Sequence, residues 1–378
     1  MKQYLDANQL YKALSKLSTA AGDSMLGGGR GTPHVSVKQE KGQLKLETFS
    51  SVSGAQVTLE TPHITEGDGE TRIYPLVEMR ELVRRLGGKM EFMVDKKGHL
   101  LLSSGGSRYK IKSVIPDAPL EFPFGEEESE ESFEVDGPVL FKALQEVLVV
   151  AKSPSGRSYS GGTLFDFRGK LRLVNTDGFR MAVISLENPS GIQRRIQVDT
   201  EAIKNFAKAL GNEEGIVEGE IHDHYILFVK DSMRFSVTTL TVSYPDYEKI
   251  LDRKQPGEIH FDKEEMQGAL ERLLQFGKYQ EQSNAIQFHF ENGEVLLTIE
   301  ETPKGKGEET LTFPVETEED AFSVSLNGGF LLDFLRVANA NKIILLHDTP
   351  QAACLFYPEG NEDFSYYLMT LKHPGIRS

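Results

Sequence analysis

The sequence predicts an α+β protein of three similar domains, on three observations: a repeated helix start, a second repeated helix, and landmarks that keep one period. The helix start is an alternating strand end, an Asp placed to accept a backbone N–H as an N-cap, and an apolar stripe at helical spacing. It occurs as Tyr4-Leu5-Asp6 before Leu10, Ala13 and Leu14, and as Phe133-Glu134-Val135-Asp136 before Leu140, Ala143 and Leu144. The third copy is Ile259-His260-Phe261-Asp262 before Met266, Ala269 and Leu270. In each copy an Ala follows the Asp by seven residues, and the three Asp stand 130 and 126 residues apart. The second helix carries Met79, Leu82 and Leu86, then Ile203, Phe206 and Leu210, then Phe330, Phe334 and Val337. Pro116-Asp117 and Pro245-Asp246 keep the same period at strand ends. Each third therefore reads strand-helix-strands, twice over.

A chain of 378 residues is too long for one core and suits three domains of about 125. We place them at 1–125, 133–252 and 259–378, with linkers at 126–132 and 253–258. The Glu-rich segment 125–132 repels itself and reads as an exposed linker. Hydrophobic residues at 39% and charged residues at 26% describe an ordinary soluble protein. The single cysteine, Cys354, has no internal disulfide partner and reads as a small buried hydrophobe, which fits a reducing cytoplasm. No stretch resembles a signal peptide or a run of about 20 apolar residues, so no membrane is expected. With 42 basic against 57 acidic residues the net charge is -15, which alone argues against a protein coated in nucleic acid.

In chain order, the first helix sets Lys12 and Lys16 one turn apart, opposite Leu10, Leu14 and Leu17. The glycines of 27–31 carry Arg30 but lack the Lys-Ser/Thr ending of a P-loop, so they read as a flexible loop. Pro75 suits a first helical turn, and the helix after it sets Arg80 and Arg84 one turn apart. Segment 152–162 holds Lys152, Arg157 and Tyr159 among Ser and Gly: either a solvated loop or one able to touch phosphates and stack on bases. Arg168-Gly169-Lys170 is a turn between strands, and Asp177-Gly178 marks a tighter one. Lys204 and Lys208 repeat the basic one-turn spacing. Ile286, Phe288 and Phe290 alternate into Asn292-Gly293 and return as Val295, Leu297 and Ile299, the clearest hairpin in the chain; residues 304–307 make another tip, and 364–371 the last strand.

Catalytic chemistry is sparse. His222-Asp223-His224 would set two imidazoles on one face of a strand, yet no third ligand stands at a familiar spacing, so no metal and no cofactor is expected. There is no Gly-x-Ser-x-Gly elbow, no His-Glu-x-x-His and no Cys-x-x-Cys.

Thr176-Asp177-Gly178-Phe179-Arg180, Tyr244-Pro245-Asp246-Tyr247, Phe330-Leu331-Leu332-Asp333 and Tyr367-Leu368-Met369 stand in one order and one threefold period. In this the chain resembles, over nearly its whole length, the bacterial DNA polymerase III beta subunit, the DNA sliding clamp. The resemblance implies three clamp domains, each with two helices on two antiparallel sheets, closed as a head-to-tail homodimer into a ring with helices inside. Lys12, Lys16, Arg80, Arg84, Lys204 and Lys208 would then line the pore of an otherwise acidic body. Phosphate-only contacts suit a ring that slides on duplex DNA without sequence specificity. Arg30, Lys152, Arg157 and Tyr159 match loops that touch DNA in the family.

The resemblance also implies a cleft between the second and third domains for peptide motifs of the polymerase subunit and the clamp loader. Its matching positions are Thr176, Gly178, Arg180, Met181, Pro245, Lys249, Ile250, Phe330, Leu368, Met369, Thr370 and Leu371. Ser160, Phe179 and Thr370 depart from the residues usual there, which bears on motif preference. Tyr109 and Ile111 would meet Leu274 and Phe276 of the partner copy. The expected function is a cytoplasmic, nucleoid-associated, non-enzymatic clamp for processive synthesis. The rivals are a divergent plasmid or phage-type second clamp and an acidic or metal-dependent enzyme on a repeated scaffold.

Overall fold

The computed structural model describes residues 3–21, 33–40, 42–61, 69–114, 129, 131–152, 162–252, 255–277, 284–302, 304–312 and 321–371. Seven α-helices stand among them: α1 (Ala7–Ala20), α2 (Leu76–Leu86), α3 (Gly137–Val147), α4 (Thr200–Leu210), α5 (Glu248–Leu251), α6 (Lys263–Gly277) and α7 (Gly328–Val337). All three repeated Asp residues cap as the pattern requires. Asp6 Oδ1 accepts from the Asn8 and Gln9 amides at 2.8 and 3.0 Å, Asp136 Oδ1 from Val139 at 3.2 Å, and Asp262 Oδ1 from Glu265 at 2.9 Å. The second helices have caps of their own where the chain enters from a strand. Asp199 takes the Ala202 amide and Asn327 those of Gly329 and Phe330, whereas Pro75 begins α2 without a side-chain cap.

The chain forms two compact units. The first comprises residues 1–142, 189–192 and 198–240, the second 143–188, 193–197 and 241–378. In the first unit an antiparallel sheet runs Gln3–Asp6, Lys89–Val94, Leu100–Ser104, Ser107–Ile111. A longer antiparallel run orders Glu131–Asp136, Ile216–Ile221, Tyr225–Lys230, Met233–Leu240, Ser53–Glu60, Gln43–Phe49, His34–Glu40 and Thr71–Pro75. Helix α1 packs on both α2 and α4 and on two of these strands, burying Leu10, Ala13, Leu14 and Leu17. Phe206 of α4 stacks on Phe228 with centroids 4.1 Å apart. Gly219 lies opposite Phe133, whose ring occupies the space a Cβ would need.

In the second unit the run is Gly257–Asp262, Lys342–His347, Cys354–Pro358, Phe364–Leu368, Arg180–Leu186, Leu171–Thr176, Gly162–Asp166, antiparallel throughout. A four-stranded sheet orders Gly305–Thr312, Glu294–Thr302, Ala285–Glu291, Ala321–Asn327. Helix α6 packs on α7 and on the first two of those strands. The Asn292-Gly293 turn has both residues at positive φ, 51° and 83°, as a tight hairpin between right-twisted strands requires. Cys354 is buried, which pushes its thiol up to about 12 and leaves it an inert hydrophobe at neutral pH.

Three sequence expectations need correcting. His222–His224 is the turn between Ile216–Ile221 and Tyr225–Lys230, not a strand face: His222 stacks on Tyr225 at 4.5 Å, and Thr239 and His222 close the turn through backbone bonds. The core stripes of α2 and α7 are shifted: α2 buries Leu76, Met79 and Val83, with Leu82 and Leu86 only half-buried, and α7 buries Leu331, Leu332, Phe334 and Leu335, with Phe330 and Val337 half-buried, because i+4 from Met79 and from Leu331 falls on Val83 and on Leu335. The last strand ends at Leu368, since Met369 and Leu371 turn their amides to Phe179 and Ser325 instead of continuing the ladder.

Candidate functional site

Every residue expected in the peptide cleft belongs to the second unit. The 176–180 turn is written by its own side chains. Thr176 Oγ1 donates to the Arg180 carbonyl at 2.8 Å and accepts the Gly178 amide at 3.1 Å; Asp177 Oδ1 accepts the Phe179 and Arg180 amides, each at 3.0 Å. Gly178 sits at φ 86°, a conformation that glycine adopts without strain. Beyond the turn, Arg180 pairs with Leu368 and Met181 with Tyr367 across adjacent antiparallel strands.

Arg180 is the largest fully buried side chain of the site. Its Nε donates to Asp177 at 3.1 Å, and one terminal nitrogen donates to Asp333 at 2.8 Å and to the Tyr366 hydroxyl at 3.3 Å. The other reaches the Val150 carbonyl at 3.4 Å, and the guanidinium plane covers the Phe330 ring at 4.1 Å. Burial works against its charge, but Tyr366 and Asp333 outweigh that and hold it above the ordinary arginine value. Tyr366 in turn donates to the Phe330 carbonyl at 2.9 Å, so Arg180 ties the turn to the start of α7.

On the other side of the sheet, Met181 packs with Leu164, Val174, Val183, Tyr247 and Tyr367, and Tyr244, Ile250, Leu251 and Leu355 lean on this cluster. The Tyr244 hydroxyl donates to the Val174 carbonyl at 3.0 Å. Burial pushes the Tyr367 phenol up to about 12, so it stays neutral and lines the cluster as a mostly apolar wall. Leu368 is buried, Thr370 and Leu371 are half-buried, and Pro245 is exposed. Lys249 is exposed and pairs with Asp246 at 2.9 Å. Phe179 and Met369 are joined by a backbone bond of 2.8 Å and are respectively 52% and 45% exposed, an apolar rim beside the turn.

Sequence reasoning missed Tyr244, Tyr247, Tyr367 and Leu355 as walls, and Asp177, Asp333 and Tyr366 as the holders of Arg180. A signal existed for the tyrosines. Alternation along Phe364–Leu368 sends Tyr366 and Tyr367 to opposite faces, one towards Arg180 and one into the apolar cluster.

Six of the expected DNA-facing cations gather in the first unit. Lys12 and Lys16 lie on α1, Arg80 and Arg84 on α2, and Lys204 and Lys208 on α4, and α1 packs against the other two. Several already have carboxylates. Lys16 meets Glu213 at 2.6 Å, Arg80 and Arg84 share Glu81 at 3.2 and 2.8 Å, and Lys204 meets Glu201 at 2.5 Å, while Lys12 and Lys208 are exposed. Arg30, Arg157, Tyr159, Ser160 and the tail after residue 371 lie outside the described residues, as does the side chain of Lys152. Tyr109, 43% exposed, and half-buried Ile111 lie on Ser107–Ile111, an edge of its sheet. Leu274 is buried in its own unit, and Phe276 is half-buried beside Gly305 and Gly307 of the edge strand Gly305–Thr312.

A repeated two-helix, multi-strand α+β unit of this build is the clamp fold. The solved DNA polymerase III beta subunits of Pseudomonas aeruginosa and Thermotoga maritima superpose with TM-scores of 0.85 and 0.86 at 20% and 17% identity. The first alignment covers 99% of this chain and 100% of the other, the second 98% and 99%. Family models for the DNA polymerase III beta subunit match residues 134–246 as the central domain and 248–372 as the C-terminal domain. The beta sliding clamp of Pseudomonas putida is 24% identical over 289 residues, 75% of this chain and 76% of its own. That of Synechococcus elongatus is 21% identical over 339 residues, 87% and 88% of the two chains. The chain belongs to the DNA polymerase III beta subunit family, and sliding-clamp function comes with that membership.

Proposed function

We propose that two copies of this chain, each of three clamp domains at 1–125, 133–252 and 259–378, close head to tail around duplex DNA and tether the replicative polymerase. The observation that carries this reading is the gathering of six cations on α1 and on the two helices that pack against it, α2 and α4. In a chain of net charge -15, such a concentration has a polyanion as its natural counterpart. The edge strands support closure: Arg108 is exposed on Ser107–Ile111, Lys110 beside it already pairs with Asp95 at 2.7 Å, and Gly305–Thr312 offers exposed Glu308. In that joint Phe276 and the strand edge meet Tyr109 and Ile111, with Leu274 behind them. The chain acts in the cytoplasm as a non-enzymatic processivity subunit, and a separate ATP-driven loader opens the ring. Among the described residues no helix is long and apolar enough to cross a membrane.

The test is retention on closed circular DNA, with release when the circle is cut; equal retention on cut and closed DNA would reject a topological link. Neutralising Arg80, Arg84, Lys204 and Lys208 together should shorten retention and flatten its salt dependence. Each lost phosphate contact lowers the slope of log affinity against log salt by about 0.9. Part of the effect is already spent on Glu81 and Glu201, so a combined loss of slope below the full four contacts is expected.

We assign the cleft around Arg180, Met181, Ile250, Phe330 and Met369 to partner peptides bearing leucine or phenylalanine, on the strength of its exposed apolar rim over a tyrosine-walled cluster. A clamp structure from Pseudomonas aeruginosa is described as bound to griselimycin, so a clamp of this fold takes a ligand. Met369→Ala with Leu371→Ala should weaken a labelled polymerase-tail peptide about tenfold while leaving DNA retention intact. Unchanged anisotropy titrations would remove the cleft from partner binding.

A further inference from the structure

We propose that Asp166, Arg168, Arg195, Tyr247 and Glu248 form a latch that positions α5, and so sets the height of Ile250 over the peptide cleft. The inference rests on the reading of that cleft as the partner site.

Helix α5 has only four residues and cannot hold itself in place, because a single turn gains too few hydrogen bonds to offset its ordering. Its place comes from both sides. Ile250 and Leu251 lean on the apolar cluster of Leu164, Val174, Met181, Val183 and Tyr367. On the other side stands a network of two carboxylates and two guanidinium groups, with the Arg172 guanidinium also against the Tyr247 hydroxyl. Asp166, buried at 2% exposure, closes Gly162–Asp166. It accepts from the Arg168 amide at 3.1 Å, from Arg168 Nε at 3.0 Å and a terminal nitrogen at 2.9 Å, from Arg195 Nε at 2.9 Å, and from the Tyr247 hydroxyl at 2.8 Å.

Both arginines then reach past Asp166 to Glu248, the first residue of α5, at 3.0 Å from Arg168 and 2.7 Å from Arg195. The Arg195 guanidinium also lies 5.3 Å from the Tyr247 ring centroid. Tyr247 thus belongs to both layers: its ring is in the apolar cluster and its hydroxyl is on Asp166. Its carbonyl also accepts the Ile250 and Leu251 amides, which carries the anchorage into the helix. Burial works against the Asp166 charge, yet Arg168, Tyr247 and Arg195 hold its pKa well below the usual carboxylate range, so the latch stays charged at neutral pH. None of the five need touch a peptide: they act through Ile250 and Leu251, as positioning residues.

The test uses the full chain with Glu248→Gln and Tyr247→Phe, singly and together, against a fluorescein-labelled peptide of the polymerase C-terminal tail. Each single variant should bind about five- to tenfold more weakly, with Tm nearly unchanged and faster hydrogen exchange confined to the amides of Ile250, Leu251 and Asp252. Glu248→Asp should recover part of the affinity. The double variant should lose less than the product of the singles, because both act on one element. Variants that bind like the unaltered chain, or whose affinity loss only tracks a fall in Tm, overturn the latch alone. An unaltered chain that ignores the peptide overturns the cleft, and the latch's function with it.

Discussion

Arg180→Met should destabilise the second unit by about 3–5 kcal/mol, because it leaves Asp177 and Asp333 without their cation. The methionine fills much of the volume and keeps contact with Phe330, so lost packing is a minor part of the cost. What goes is the charge, the donors to Asp177, Asp333, Tyr366 and the Val150 carbonyl, and with them the clamp on the 176–180 turn. The same variant should abolish measurable binding of the polymerase-tail peptide, since Phe179 and Met369 are placed by that turn. Arg180→Lys should fall between the two: an ammonium keeps the charge but cannot span four acceptors set around a planar fork. Urea denaturation and peptide titration of the three proteins decide it. A Met variant within 1 kcal/mol of the native chain would mean that the buried pair is stabilised from elsewhere.

Tyr109→Glu with Ile111→Glu should convert the proposed dimer into a folded monomer. The two side chains stand two residues apart on an edge strand, so both face one side of the joint, the side of Phe276, where an added carboxylate has to be buried against apolar surface. An unpaired charge in a protein joint costs several kcal/mol, which raises the dissociation constant about a thousandfold or more. Sedimentation at nanomolar to micromolar concentration reads the change, and circular-DNA retention should vanish with the dimer. Helical content should not move, because Tyr109 packs little against its own unit. A dimer persisting at nanomolar concentration would place the joint elsewhere.

These variants also separate what could be read along the chain from what could not. The repeated Asp residues, the Asp177-Gly178 and Asn292-Gly293 turns and the apolar stripes of α1 and α4 depend on interactions within a few residues, and all stand where expected. The exceptions are short-range too: Val83 in place of Leu82 on α2, Leu331 and Leu335 in place of Phe330 and Val337 on α7, and a turn in place of a strand at 222–224. The cleft residues could be named from the resemblance, but not their roles. Arg180 could be named only as a cleft position and is the buried centre of the site, because its partner Asp333 is 153 residues away and Tyr366 186.

By itself the sequence determined the repeated helix starts, the caps and turns that start and stop its elements, and the basic spacing on α1, α2 and α4. Those features are set by backbone donors and side chains that are neighbours in the chain. Only the tertiary structure decided which charges are shared. Lys16 finds Glu213 across 197 residues, and Asp166 draws Arg168, Arg195 and Tyr247 together from three segments. A carboxylate's partner is chosen by distance and burial after folding, and neither is written in the local pattern.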